Sequence, residues 1–471
     1  MKISGPFVVA CLAGLLSGLD TSVNIAFPAI TAAFEIDVSQ IQWVVVSFVL
    51  TYSVLLLPAG RLGDRIGHGR IMVIGIVVQG LAFVWCSLAS SFEFFLLARV
   101  SQGASMALIL GTAPALVTLS VSERHQPRAL GIFAMTTAAG LAAGAPVGGL
   151  LLQAWDWQSV YAFRVPYMGV LLVAALLSGL HRPGVMKSKQ PLDLFGAVTL
   201  ALGLGLTLFV ASRGLIWGWT SPITIALALV AMASLVVFHG VEKRASLPLV
   251  DMSLFRKQGF GRANLLNALA NASMFSIWFL GPYLLVDIRG HSPIAGGLIL
   301  GIAPTSTAIS AWLTGRMIER LGLLTLTRFG LACQGVGLVL FSQIDSNSTM
   351  FSLVVALCLV GIGLGSFQVP NMSFVMASLS RSQQGVAGGM TQMVRTAGLV
   401  GGLAVWNTAF VGLRDRRSRS LGVEEVMAPE VFVPTFGQVV GMSGGLAIVA
   451  LILTIGVRFD DQLTSELLDE K

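Results

Sequence analysis

Apolar windows of about 20 residues, bounded by charged or turn-forming positions, recur along the whole 471-residue chain. They lie near 7–30, 41–60, 71–90, 94–119, 129–152, 160–180, 194–212, 222–240, 260–286, 293–315, 324–342, 350–376, 386–410 and 438–457. At about 1.5 Å of rise per residue, each spans ~30 Å of hydrocarbon as an α-helix. A helix satisfies its own backbone hydrogen bonds, so it is the form such windows take in lipid. The pattern therefore predicts an all-α polytopic membrane protein with 14 transmembrane helices. The first window is about 24 residues long, lacks a small-residue cleavage pattern and precedes many more spans, so it reads as a retained helix and not a secretory signal.

Composition excludes a single soluble core. Hydrophobic residues make up 55% of the chain and charged residues 11%, against roughly 25% charged in an ordinary globular domain; mean hydropathy is +0.84. The net charge of +7 would raise nucleic-acid binding in a soluble protein, but its distribution points elsewhere. With a cytoplasmic N-terminus, 20 of the 29 Lys and Arg residues fall in inner segments and 6 in outer ones, with Arg99, Arg164 and Arg395 inside spans. That is the positive-inside bias of a multi-pass cell-membrane protein, and the even number of spans puts both termini in the cytoplasm. No nucleic-acid partner is expected. Arg414, Arg416, Arg417 and Arg419 depart from the bias, falling in an expected outer loop over 411–437. Either that loop contacts lipid phosphates or a span boundary there lies elsewhere. Cys11, Cys86, Cys333 and Cys358 sit in apolar runs with neither metal-ligand nor disulfide spacing and read as small packing residues.

The chain repeats itself. Gly60-Arg61-Leu62-Gly63-Asp64-Arg65-Ile66-Gly67 corresponds to Gly315-Arg316-Met317-Ile318-Glu319-Arg320-Leu321-Gly322, with Gly, Arg, Arg and Gly identical and Asp replaced by Glu. The same offset carries the fourth span onto the twelfth and the fifth onto the thirteenth. Three regions follow: a six-helix bundle over 1–180, an inserted two-helix linker region over 181–258 and a second six-helix bundle over 259–471. Repeated bundles that rock about a midplane site are the architecture of secondary transporters.

These motifs make the chain resemble the major facilitator superfamily, and its span layout resembles that family's fourteen-helix drug:proton antiporter branch. The family's loop motif G-x-L-x-D-R-x-G-R-[KR] stands as Gly60 to Arg70, loosened at His68-Gly69. Its glycines suit a tight turn, Asp64 suits the positive end of a neighbouring helix near Ser382 and Gln383, and Arg65 and Arg320 face cytoplasm and anionic lipid. The R-x-x-Q-G motif of the fourth helix stands as Arg99 to Gly103, with Gln102 at its polar position. A first-helix motif L-D-x-T-x-V-N-V-A-L-P is matched by Leu19 to Pro28, one residue shorter, so Asp20 and Asn24 become an i, i+4 pair. The fifth helix carries Gly140 to Gly149, similar to the antiport motif G-x-x-x-G-P-x-x-G-G with Pro146 displaced by one place between Gly144 and Gly148. Close packing through small residues is the structural reading of the same stretch.

Depth arithmetic links two charges. Asp20 lies about 20 Å along an outward-running helix, and Arg99 about 8 Å in from the outer end of an inward-running one, so both sit at one level. Asp20 is the carboxylate well inside a span, and such a group marks function. Asp20 is the expected proton-coupling group with Arg99 tuning it; a static ion pair is the alternative. Arg395 sits near mid-depth. Arg164, in Arg164-Val165-Pro166 where the family usually has Asn-Val-Pro, either faces inward or snorkels to the outer edge. Asn264, Asn267 and Asn271 share one face of the ninth helix, with Trp278 further outward. The resemblance places that helix at a substrate cavity with Asn24, Gln102, Asn267, Asn271, Trp278 and Arg395; interhelical hydrogen bonding is the other reading. Gly60, Asp64, Arg65, Gly67, Gly315, Glu319, Arg320, Gly144, Pro146 and Gly148 are the candidate conformational gate.

The expected activity is proton-coupled efflux of drugs or small amphipathic organic compounds by alternating access. A dedicated proton-coupled carrier of one organic anion or metabolite is the other reading, since three intramembrane arginines against one carboxylate disfavour dications. The five histidines have no metal-ligand spacing, no nucleophile has a base, and no G-x-x-x-x-G-K-[ST] loop appears, so neither an enzyme nor an ATP-driven pump is expected. No cofactor is implied. The expected partners are a small-molecule substrate, protons and membrane lipids, and the resemblance implies a monomer.

Overall fold

A computed structural model describes residues 4–122, 126–182, 194–218, 220–243, 259–377, 384–422 and 428–455. In chain order its helices are α1 (Gly5–Gly18), α2 (Ser22–Ile25), α3 (Phe27–Ala33), α4 (Gln42–Ile66), α5 (His68–Ser87), α6 (Phe92–Leu119), α7 (Gln126–Ala154), α8 (Ser159–Ala162), α9 (Arg164–Leu177), α10 (Leu194–Trp217), α11 (Pro222–Glu242), α12 (Phe260–Tyr283), α13 (Pro293–Leu321), α14 (Leu323–Ser342), α15 (Met350–Ala377), α16 (Gln384–Leu421) and α17 (Pro429–Leu453). Among the described residues, thirteen helical stretches are long and apolar enough to cross a membrane. The expected span at 194–212 lies in α10, a 24-residue helix whose apolar stretch is Val198–Thr207.

Two compact units emerge: Met1–Val210 with Trp217–Leu249 and Ser292–Gly297, and Ala211–Ile216 with Val250–His291 and Leu298–Lys471. In the first, α6 packs on α4 and α5, and α1 packs on α7. In the second, α12 packs on α16 and α17, and α14 on α15 and α17. Most of α12 is buried. Leu266 and Ala270 from it join Leu331, Phe367 and Ala450 in one core cluster. α11 is apolar all round and leaves Ile223, Leu229, Met232 and Val236 exposed, as a lipid-facing helix does.

The internal repeat is visible in the backbone. α4 ends at Ile66 and α5 starts at His68; 255 residues on, α13 ends at Leu321 and α14 starts at Leu323. The residues between them, Gly67 and Gly322, have φ of 108° and 77°, which a side chain would strain. The loop motif is thereby corrected: Gly60 to Ile66 and Gly315 to Leu321 are helical, and a single glycine makes each turn. Gly60 serves packing instead, since a Cβ on it would lie 3.2 Å from the Gly111 carbonyl of α6.

Two further expectations change. The first span breaks into α1, a tight 3-10 turn at Leu19–Thr21, α2, and α3 after a turn at Ala26. Pro28 cannot donate to the Asn24 carbonyl, and the Thr21 hydroxyl bonds back to the Gly18 carbonyl at 3.0 Å. The outer loop expected over 411–437 is mostly helical: α16 continues to Leu421 and α17 begins at Pro429, so the four arginines lie on a helix. Arg414 is buried there and pairs with Asp415 at 2.9 Å.

Candidate functional site

The tight turn between α1 and α2 aims Asp20 at two arginines. Its glycine-lined approach to α7 makes this possible: a Cβ on Gly140 would collide with the Leu15 carbonyl, one on Gly144 with the Thr21 hydroxyl, and one on Gly148 with the Ser22 carbonyl. Thr21 also donates to the Leu141 carbonyl of α7 at 3.1 Å, fastening the break. The α7 glycines therefore seat the turn that carries the buried charge. Pro146 lies within α7 without ending it.

Arg164, first residue of α9, is 1% exposed and reaches Asp20 Oδ1 with Nη1 at 2.8 Å. Its Nη2 donates to the Leu19 carbonyl at 2.8 Å and to the Ser22 hydroxyl. Arg99, buried in α6, lies at 3.5 Å from each Asp20 oxygen, donates to the Val44 carbonyl at 2.9 Å, and donates to Gln102 Oε1 at 2.6 Å. Gln102 returns an Nε2 hydrogen bond to Asp20 at 2.9 Å. The shared depth of Asp20 and Arg99 inferred from rise per residue thus corresponds to an ion pair, and Arg164 points inward and does not snorkel.

Aromatic faces enclose both guanidiniums. Arg99 lies 4.5 Å from the Phe48 ring and 5.9 Å from Tyr161; Arg164 lies 5.2 Å from Phe83 and 5.8 Å from Tyr161. A desolvated contact of this type contributes about 2 kcal/mol. Tyr161 is held in turn by Phe95 at 5.5 Å, and Phe95 and Trp157 stand 5.2 Å apart. The site therefore binds two cations with one carboxylate, carbonyl oxygens and ring faces. Asp20 keeps 15% side-chain exposure, so it is the ion with access to water. Asn24, half-buried one turn further on, is not among Asp20's hydrogen-bond partners.

The second unit has its own buried polar group. Asn264 bonds back to the Phe260 carbonyl at 3.0 Å and Asn271 to that of Asn267 at 2.8 Å, whereas Asn267 crosses to the Thr391 carbonyl of α16 at 3.2 Å. Arg395 Nε approaches Asn271 Oδ1 at 3.4 Å, so Asn267, Asn271 and Arg395 are brought together. Trp278 is buried two turns beyond Asn271. Near Gly67, Asp64 is exposed and 3.0 Å from His68; its expected partners Ser382 and Gln383 lie outside the described residues. Arg65 and Arg320 are exposed on the ends of α4 and α13, and Glu319 lies on α13 beside Arg320.

The residues alone do not single out Arg164 as the nearest cation to Asp20, nor Tyr161 as the ring near both guanidiniums. The available signal was an arginine inside an apolar run in place of a neutral residue.

A family model described as the Major Facilitator Superfamily matches residues 9–403. The riboflavin transporter RibZ of Clostridioides difficile (strain 630) is 23% identical over 95% of this chain and 96% of its own. The multidrug resistance protein Stp of Mycobacterium tuberculosis (strain CDC 1551 / Oshkosh) is 28% identical over 81% of this chain and 71% of its own. Among solved structures, the POT family transporter PepTSo superposes with a TM-score of 0.69 at 16% identity, over 97% of this chain and 98% of that one.

Proposed function

Because the chain belongs to the major facilitator superfamily, a family of membrane transporters for small molecules and not of enzymes, we propose that it is a proton-coupled antiporter that exports small amphipathic organic compounds across the cell membrane. Asp20 is the proton acceptor in this reading and Arg99 the cation that competes with the proton. The observation that carries it is a largely enclosed carboxylate, held by two arginines yet keeping 15% side-chain exposure, on a break in the first helix. An enclosed ion on a tight 3-10 turn that interrupts the α-helix is poised to change partners when it takes a proton. The name of the multidrug resistance relative supports export, and so does the fourteen-helix drug:proton antiporter layout read from the chain.

In the same reading, residues 1–180 and 259–471 act as two bundles that alternate access, 181–258 supplies the inserted pair, and the protein works as a monomer with cytoplasmic termini. Asn24, Gln102, Asn267, Asn271, Trp278 and Arg395 contact substrate. The motifs around Gly60–Gly67 and Gly315–Arg320 and the α7 glycines gate the change. A second reading, a proton-coupled carrier of one organic anion, is favoured by the two guanidiniums set against one carboxylate.

Everted vesicles with an acidic lumen test this directly, with ethidium as cation, riboflavin as neutral probe and carboxyfluorescein as anion. The expected result is gradient-dependent accumulation of ethidium or riboflavin that stops when the gradient is collapsed and is absent in D20N. Gradient-driven accumulation by D20N sinks the role of Asp20. Movement of carboxyfluorescein alone, out of the lumen together with protons, replaces export with the anion carrier.

A further inference from the structure

Three of the Arg164 contacts fall within four consecutive residues of the first span: the Asp20 carboxylate, the Leu19 carbonyl and the Ser22 hydroxyl. These are the residues of the tight turn and the first residue of α2. The guanidinium therefore spans the break in the helix while holding its only carboxylate. Arg99 differs, because its other acceptors, the Val44 carbonyl and Gln102, lie on α4 and α6. A planar fork with donors pointing in several directions serves such a set, and an ammonium does not.

Resting on the coupling role given to Asp20, we propose that Arg164 is the positioning residue of the coupling site. It braces the turn that presents Asp20, and it adds a second positive charge that the proton must displace. The groups facing Asp20 from the elements around it are few. α6 supplies Arg99 and Gln102, α8 supplies Tyr161, α9 supplies Arg164 and α5 supplies Cys86, whose thiol lies 3.9 Å from Gln102 Oε1. α4 presents a carbonyl and the Phe48 ring to Arg99, and α7 presents its glycine face and the Leu141 carbonyl to the turn. Arg99 and Arg164 are the cations of this set, so removing one halves the positive charge acting on the carboxylate. A single cation in such contact changes the protonation midpoint of a carboxylate by about 1–3 pH units.

The test needs no substrate. Infrared pH titration of the purified full-length protein follows the carboxylic-acid carbonyl stretch, and the band missing from D20N belongs to Asp20. In R164Q that band is expected to appear at a pH at least about one unit above wild type. In R164K it is expected close to wild type, because the charge is kept. An Asp20 band with the wild-type midpoint in R164Q overturns the proposal. Should R164Q fail to fold, R164K decides through hydrogen exchange. Faster exchange of the amides at 19–23 than in wild type supports the brace, and exchange at the wild-type rate overturns it. The D20N vesicle assay judges the coupling role separately: gradient-driven transport by D20N removes that role while leaving the infrared result intact.

Discussion

Gln102 shows how a neutral side chain organises buried charge. Its carbonyl oxygen accepts from Arg99 at 2.6 Å and its amide donates to Asp20 at 2.9 Å, so it fixes the distance at which the two ions face each other. Leucine has a similar volume and neither polar atom. Q102L is therefore expected to remove two short charge-assisted hydrogen bonds, leaving Arg99 Nη1 with only the 3.5 Å contact to Asp20, at a cost of about 2 kcal/mol. A fall of several degrees in the unfolding temperature of the detergent-solubilised protein would register this, and an unchanged temperature would show that water replaces the amide. The residues of this site were partly legible beforehand. Depth along two antiparallel helices pairs Asp20 with Arg99, because rise per residue is a fixed property of a helix. It could not pair Asp20 with Arg164, because rise says nothing about which way a long side chain turns at the membrane edge.

Between elements, the packing of α7 on α2 and the tight turn before it carries the most consequence. A methyl group on Gly148 would meet the backbone of Ser22, with the Cα at 2.9 Å and the carbonyl oxygen closer still, and backbone cannot rotate away. A methyl group on Gly401, in α16, meets nothing within 4 Å. G148A is accordingly expected to destabilise by about 1–3 kcal/mol and to impair transport by displacing the turn that bears Asp20. G401A is expected to be neutral or to stabilise by up to about 1 kcal/mol, the helix-propensity gain. Unfolding temperatures of the two variants side by side check this; equal losses would show that helix flexibility, not helix contact, is what these glycines supply. Apolar periodicity finds a helix and misses its interruptions, which is why the first span read as continuous. Thr21, Ser22 and Pro28 were visible, but their effect depends on α7 being near enough to accept the Thr21 hydrogen bond. The reverse error occurred at 411–421. Charged residues ended the apolar window there, whereas the backbone of α16 continues as helix to Leu421 because arginine is a good helix former.

For the whole molecule, the repeat and the charge distribution impose one condition on α10. The motifs at 60–67 and 315–322 are related by a parallel repeat, so they belong on the same side of the membrane, and that requires an even number of crossings between them. The helices from α5 to α13 provide it only if α10 crosses as well as α11. At 24 residues and about 1.5 Å per residue, α10 is about 36 Å long, enough to span ~30 Å of hydrocarbon. Were it to lie outside the membrane, everything after it would invert, moving Lys243, Arg262, Arg316, Arg320 and Arg328 outside and Arg414, Arg416, Arg417 and Arg419 inside. That inversion discards most of the positive-inside bias of the second half to explain four arginines. Ser122 and Ser346 are both exposed in short connections and report the answer. In a background with the four native cysteines replaced by alanine, S346C is expected to react with a membrane-impermeant maleimide in intact cells, and S122C only after permeabilisation. Labelling of S346C that also requires permeabilisation would remove α10 from the crossings and place the two related loops on opposite sides, which a parallel repeat cannot accommodate.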